Sequence, residues 1–113
     1  MPADCIFCKI VAGTIGSAKV YEDEHVFAFE DMHPVAKVHT LIVPKKHIAS
    51  VNDLTPADLL MVGQIFAAAH KIAQLKKIDT TGYRVLTNTG ANAGQTVFHL
   101  HYHLLGGEPL HPM

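Results

Sequence analysis

Nine histidines in 113 residues are the first feature with chemical content. Three of them, His99, His101 and His103, alternate with Leu100 and Tyr102 in the run 98–104. In an extended strand, alternate side chains share a face, so the three imidazoles would stand on one side with Cα atoms about 6.6 Å apart. Imidazole titrates near neutrality and can act as nucleophile, proton donor or phosphate ligand. An alternating triplet also arises by chance in so histidine-rich a chain, and a strand with one solvated polar face would look the same. Support comes from the segment just before it, 90–96, where Gly90 and Gly94 frame a loop ending in Gln95 and Thr96. Its backbone N–H groups, with the Gln95 amide and Thr96 hydroxyl, suit a cradle for an anion such as phosphate, although the same residues would also make a plain turn. A histidine face beside an anion cradle suits phosphoryl or nucleotidyl transfer. A second constellation is Cys5 and Cys8, spaced to lie on one face of a helix whose amino end favours thiolates. Two cysteines this close are no secreted disulfide framework. They leave a metal site, a redox pair or a buried apolar pair, and a thioredoxin-like role would need a strand for which residues 1–4 leave no room.

These residues need a scaffold, and the chain supplies signals for one. Asp4 as N-cap and Gly13 as stop frame a short helix over 5–12 with Ile6, Phe7 and Ile10 as its apolar residues. Enrichment in β-branched and aromatic residues predicts strands over 19–22 and 26–29, joined as a hairpin through Asp23 and Glu24. A third strand follows over 39–43, closed by Pro44, which cannot donate to a ladder. Thr55-Pro56-Ala57-Asp58 opens a long helix: a hydroxyl cap, proline at the first helical position and a carboxylate in the first turn. That helix is expected to reach about Lys77, with Leu59, Val62, Ile65, Phe66, Ala69, Ile72 and Ala73 as its core-facing stripe. Strands over 83–87 and 97–105 complete an α+β domain: a five-stranded antiparallel sheet with one short and one long helix. The fourth strand and long helix carry more apolar surface than one small sheet needs. Two copies are therefore expected to pair into a homodimer with a ten-stranded sheet.

Composition narrows the function. With 9 Lys+Arg against 10 Asp+Glu, the formal net charge is −1, which gives no electrostatic footprint for polymeric nucleic acid or an anionic membrane. No apolar run approaches the length of a membrane span, and no basic segment precedes the first apolar residues, so a soluble, cytoplasmic, single-domain chain is expected over 1–113.

The run 94–107, from Gly94 through His99, His101 and His103 to Gly107, closely resembles the signature of the histidine-triad family, His-φ-His-φ-His-φ-φ with φ hydrophobic. Agreement continues in Cys5-Ile6-Phe7-Cys8-Lys9-Ile10, Phe29-Glu30-Asp31 before a proline, Val43-Pro44-Lys45-Lys46-His47-Ile48, and Gly82-Tyr83-Arg84-Val85 before Asn88. The chain is similar in particular to the nucleotide-binding, Hint-like branch. That resemblance implies a homodimeric purine nucleoside phosphoramidase, which releases a nucleoside monophosphate and an amine through a nucleotidyl-histidine intermediate. Carried onto this sequence, it makes His101 the nucleophile. His103, His47, Gln95 and Thr96 surround the phosphate, and Asn88 helps set the geometry. Asp31 takes the ribose hydroxyls, and Ile6, Phe7, Ile10, Phe29 and Met32 wall the base, though each of those apolar residues would serve equally as ordinary core. Catalysis needs no cofactor. By the same resemblance, Cys5, Cys8, His47 and His99 match the ligands of a structural zinc in metal-bearing members; the alternative is a metal-free pair of buried cysteines. Glu108, where arginine often follows the glycine pair, and Thr96, where serine is usual, depart from the pattern. No role falls to His25, His33, His39, His70 or His111. Two other classes compete: a zinc-dependent hydrolase with His99, His101 and His103 as ligands and an open position for water, and a purine nucleotide-binding module without turnover.

Overall fold

The computed structural model describes residues 4–113. Along the chain run α1 (Ile6–Ala12), β1 (Lys19–Glu22), β2 (Val26–Glu30), β3 (Val38–Pro44), α2 (Leu59–Leu75), β4 (Tyr83–Leu86) and β5 (Tyr102–Gly106). The five strands form one antiparallel sheet in the order β1-β2-β3-β5-β4. This is the α+β fold that the residue pattern predicts.

Strand alternation divides the core into two layers. Val26, Ala28, Ile42 and Leu104 face α2 and pack on Ile65, Ala68, Ala69 and Ile72. On the opposite face Phe27, Phe29, Leu41 and Val43 pack on Phe7 and Ile10 of α1. Both faces of β2 and β3 are therefore covered. Complete burial of Ile42, Ile65 and Ile72, each 0% exposed, contributes about 2 kcal/mol per side chain.

Four features depart from the sequence expectations. The N-cap of α1 is Cys5, whose Sγ accepts from the Cys8 N–H at 3.3 Å, while Asp4 is exposed. The first turn of the long helix, Pro56–Asp58, is a 3-10 turn, with the Asp58 carboxylate accepting from Thr55 N–H at 2.9 Å and its hydroxyl at 3.1 Å. In α2 the stripe narrows: Ile65, Ala69, Ile72 and Ala73 are buried, but Leu59 and Phe66 are 65% and 51% exposed and Val62 is half-buried.

The fourth departure bears on function, because β5 begins at Tyr102 rather than at residue 97. The ladder with β3 ends at the pair Ile42↔Tyr102. Two residues further along β3, opposite Leu100 in this register, stands Pro44, which has no N–H, and its carbonyl already accepts from the His99 ring at 2.8 Å. On the β4 side the His101 carbonyl accepts from the Thr87 hydroxyl at 2.7 Å instead of a backbone donor. Residues 97–101 are thus held by side chains, with one backbone bond from Leu100 N–H to the Ile48 carbonyl at 2.6 Å.

Candidate active site

The protons on four histidines follow from groups that can act in only one sense. A carbonyl only accepts, so His101 Nδ1–H donates to the His99 carbonyl at 2.7 Å and His99 Nε2–H donates to the Pro44 carbonyl at 2.8 Å. Neutral His101 therefore presents an unprotonated Nε2, and His99 an unprotonated Nδ1. A backbone N–H only donates, so Val35 N–H makes His39 Nδ1 an acceptor at 3.0 Å. The His39 proton then sits on Nε2 and is given to His103 Nδ1 at 2.8 Å. Neutral His103 is left with Nε2–H as a donor. His101 and His103 lie side by side, ring centroids 5.2 Å apart, with Phe7 set edge-on to His101 at 5.0 Å.

Burial favours the neutral form of three of these rings. It lowers the pKa of His39 and of His99, and it brings His103 down to about 4, helped by the neighbouring His101 and His39. Asp31, whose Oδ2 lies 3.4 Å from His39 Nε2, opposes the shift of both His39 and His103. Asp31, His39 and His103 form a compact donor group, but both His39 nitrogens are already engaged, one by a backbone N–H. The trio is a hydrogen-bonded relay rather than a metal cage.

A second cluster adjoins the first. Cys5 Sγ and Cys8 Sγ lie 3.4 and 3.5 Å from His99 Nδ1, Cys8 Sγ lies 3.3 Å from His47 Nδ1, and the two Nδ1 atoms are 3.2 Å apart. A tetrahedral zinc with two sulfur and two nitrogen ligands needs ligand-to-ligand edges of about 3.3 to 3.8 Å. The four donors therefore fit zinc, and the Pro44 carbonyl supplies the outer contact that orients one ligand imidazole. Burial, then the adjoining Cys5, pushes the Cys8 thiol up to about 11, so without a metal Cys8 stays protonated at neutral pH.

The cradle loop is built more tightly than its composition suggests. Gly90 and Gly94 adopt φ of 83° and 82°, the left-handed region open to glycine. The Gln95 side chain is buried and fully used: its Nε2 donates to the Ala49 and Val97 carbonyls at 2.8 and 3.1 Å, and its Oε1 accepts from Gly90 N–H at 2.9 Å. Gln95 thus pins the loop, and the exposed Thr96 hydroxyl is a side-chain donor left for an anion.

The structure brings Cys5, Cys8, His47 and His99 together, and separately His101 and His103. His47, expected both at the phosphate and among the metal ligands, turns Nδ1 into the thiol cluster. Phe7, Ile10 and Phe29 are buried together; Ile6 is 46% exposed and Met32, beside Asp31, 88% exposed. Asn88 is half-buried. The three signature histidines do not converge on one point: His99 faces the thiols and His103 faces His39. The three-histidine zinc hydrolase is therefore corrected, since among the described residues the metal-like group that includes His99 contains neither His101 nor His103. Sequence reasoning missed His39. Its signal was a lone polar ring in the apolar run 38–43, on the same strand face as Leu41 and Val43.

Comparison with known proteins follows from this geometry. The HIT domain family model matches residues 12–110. The chain is 43% identical over 113 residues to a purine nucleoside phosphoramidase from Escherichia coli K12, covering 100% of this chain and 95% of that protein. Among solved structures it is similar to a histidine triad protein from Clostridium difficile (TM-score 0.97, 49% identity, covering 100% of this chain and 98% of that one). It is also similar to a HIT family hydrolase from Legionella pneumophila (TM-score 0.92, 43% identity, covering 94% and 95%). The chain belongs to the HIT family.

Proposed function

We propose that this chain is a hydrolase of phosphorus–nitrogen bonds, specifically a purine nucleoside phosphoramidase acting through a nucleotidyl-His101 intermediate. The observation that carries the reading is the 2.7 Å bond from His101 Nδ1–H to the His99 carbonyl, which frees Nε2 as a nucleophile. Nε2 attacks the α-phosphorus, a bond forms between them, and the phosphorus–nitrogen bond of the substrate breaks. The amine departs with a proton from solvent. Water then attacks the adduct, the bond to His101 breaks, and nucleoside monophosphate leaves. His103, protonated on Nε2 through His39, donates to a phosphoryl oxygen, and Thr96 donates beside it.

The finer assignments belong to the same proposal. Asp31, at the exit of β2 and in reach of His39, takes the ribose hydroxyls. Asn88 and the pinned Gln95 shape the phosphate end, while Ile6, Phe7, Ile10, Phe29 and Met32 border the base. Cys5, Cys8, His47 and His99 hold a structural zinc. Four protein ligands leave such an ion no open position for water, and its contribution is to tie α1 to the segments before β5 and after β3. The unit is one HIT domain over 1–113, a homodimer, and cytoplasmic; no helix of the described residues is long and apolar enough to cross a membrane. The test is turnover of adenosine 5′-phosphoramidate by His101→Gly against the parent chain. Loss of amine release with retained nucleotide binding is expected, near-parental turnover would refute the mechanism, and tight binding by the parent without turnover would instead identify a binding module.

A further inference from the structure

A nucleoside phosphoramidate carries its nucleoside and its amine on one phosphorus, so a pocket for the amine must lie past the phosphate as seen from the ribose. The sheet register sets that direction. Asp31 stands at one end, where its N–H donates to the His39 carbonyl at 3.0 Å and His39 pairs with Leu105. Two residues along β3, Leu41 pairs with His103. Beyond the ladder the segment before β5 keeps the same heading, with the His99 ring on the Pro44 carbonyl and Leu100 N–H on the Ile48 carbonyl at 2.6 Å. Traced from Asp31, the order is therefore His103, then His101, then residues 96–98. An open cavity of about 450 Å³ stands at that far end, bordered by Thr96, Val97, Phe98, Ile6 and Asp4. It shares with the phosphate end of the site the Thr96 hydroxyl. The rest of its border is of another character: Phe98 and Ile6 leave 57% and 46% of their surface exposed, and the Asp4 carboxylate is exposed beside them.

We propose that this cavity is the subsite for the departing amine, and that Asp4 and Phe98 set the preference among amines, favouring a hydrocarbon substituent that ends in a second positive charge. An aliphatic chain laid into the cavity takes the Ile6 and Phe98 surfaces out of water. A terminal ammonium is drawn to the Asp4 carboxylate and to the face of the Phe98 ring, whereas a terminal carboxylate is repelled by Asp4. Neither side chain has a part in the chemistry at His101, so they choose which amine leaves and do not alter hydrolysis of the nucleotidyl-histidine. The subsite rests on the phosphoramidase reading and names the class of its leaving group.

The readout is kcat/KM, because the amine is present only until the phosphorus–nitrogen bond breaks, while hydrolysis of the adduct is common to every substrate. The substrates are adenosine 5′-phosphoramidate and its N-substituted forms made from pentylamine, cadaverine and δ-aminovalerate, matched in carbon count. The parent chain is expected to favour the cadaverine compound over the pentylamine one by about fivefold at low salt, to lose most of that preference at high salt, and to turn over the δ-aminovalerate compound worst. Asp4→Asn should bring the cadaverine and pentylamine compounds within about twofold of each other. Phe98→Ala should slow both by about fivefold relative to the unsubstituted compound. In each variant the unsubstituted compound and the melting temperature should match the parent. A parent chain indifferent to the amine, or variants that shift the choice of nucleobase instead, would overturn the subsite and leave the phosphoramidase reading standing. A parent chain with no measurable turnover of the unsubstituted compound would overturn the reading and the subsite together.

Discussion

Three of the four histidine protons at the centre of this site are set by a main-chain group: Val35 N–H for His39, the His99 carbonyl for His101, the Pro44 carbonyl for His99. Only His103 takes its tautomer from another ring, and it is also the residue whose titration is moved furthest, to about 4, by burial and then by His101 and His39. In the unfolded chain it titrates near 6.5, so between about 4 and 6.5 the unfolded state holds a proton that the native state lacks. Its contribution to stability is complete above that interval and is lost as pH falls through it. We expect the His103 ring protons to titrate with a midpoint of about 4 and the melting temperature to drop between pH 7 and pH 4.5; a midpoint at 6 or above would contradict the buried relay. The alternating triplet and the cysteine pair are visible in the sequence because their spacing is local. His39 is not, because its partner His103 is 64 residues away and the contact exists only once β3 lies between β2 and β5.

Element type follows from local pattern here, and element ends follow from contacts between elements. The hairpin strands, the third strand and the long helix stand where their residues predict them. The start of β5 does not, since an alternating run reads as strand until its neighbour fails to pair, and the ladder with β3 stops at Ile42, two residues before Pro44. The end of α2 is a helix stop without glycine: Ile78 N–H donates to the Ala73 carbonyl at 2.9 Å and Lys77 N–H to the Gln74 carbonyl at 3.1 Å, with Lys77 at φ 60°. A side chain in that left-handed region costs about 1 kcal/mol relative to glycine. Lys77→Gly is therefore expected to raise stability by up to about 1 kcal/mol in denaturant unfolding, whereas a loss of stability would show that the Lys77 side chain supports the stop in some other way.

At the scale of the molecule, α2 leaves Leu59, Leu60 and Phe66 65%, 76% and 51% exposed, and Phe66 stands edge-on to Tyr102 of β5, the neighbour of the open edge strand β4. A second copy pairing along β4 would cover both the open edge and this helix face. Light scattering at micromolar concentration should return twice the chain mass, and a monomer mass would remove the ten-stranded sheet. The central claim is covalent chemistry at one imidazole nitrogen, and the most direct measurement is the intact mass of protein quenched within milliseconds of mixing with adenosine 5′-phosphoramidate, kept away from acid. The account predicts a transient, acid-labile gain of one adenylyl group, mapped to His101 and absent in His101→Gly. Full turnover with no adduct at any time, or an adduct carried by another residue, would contradict it.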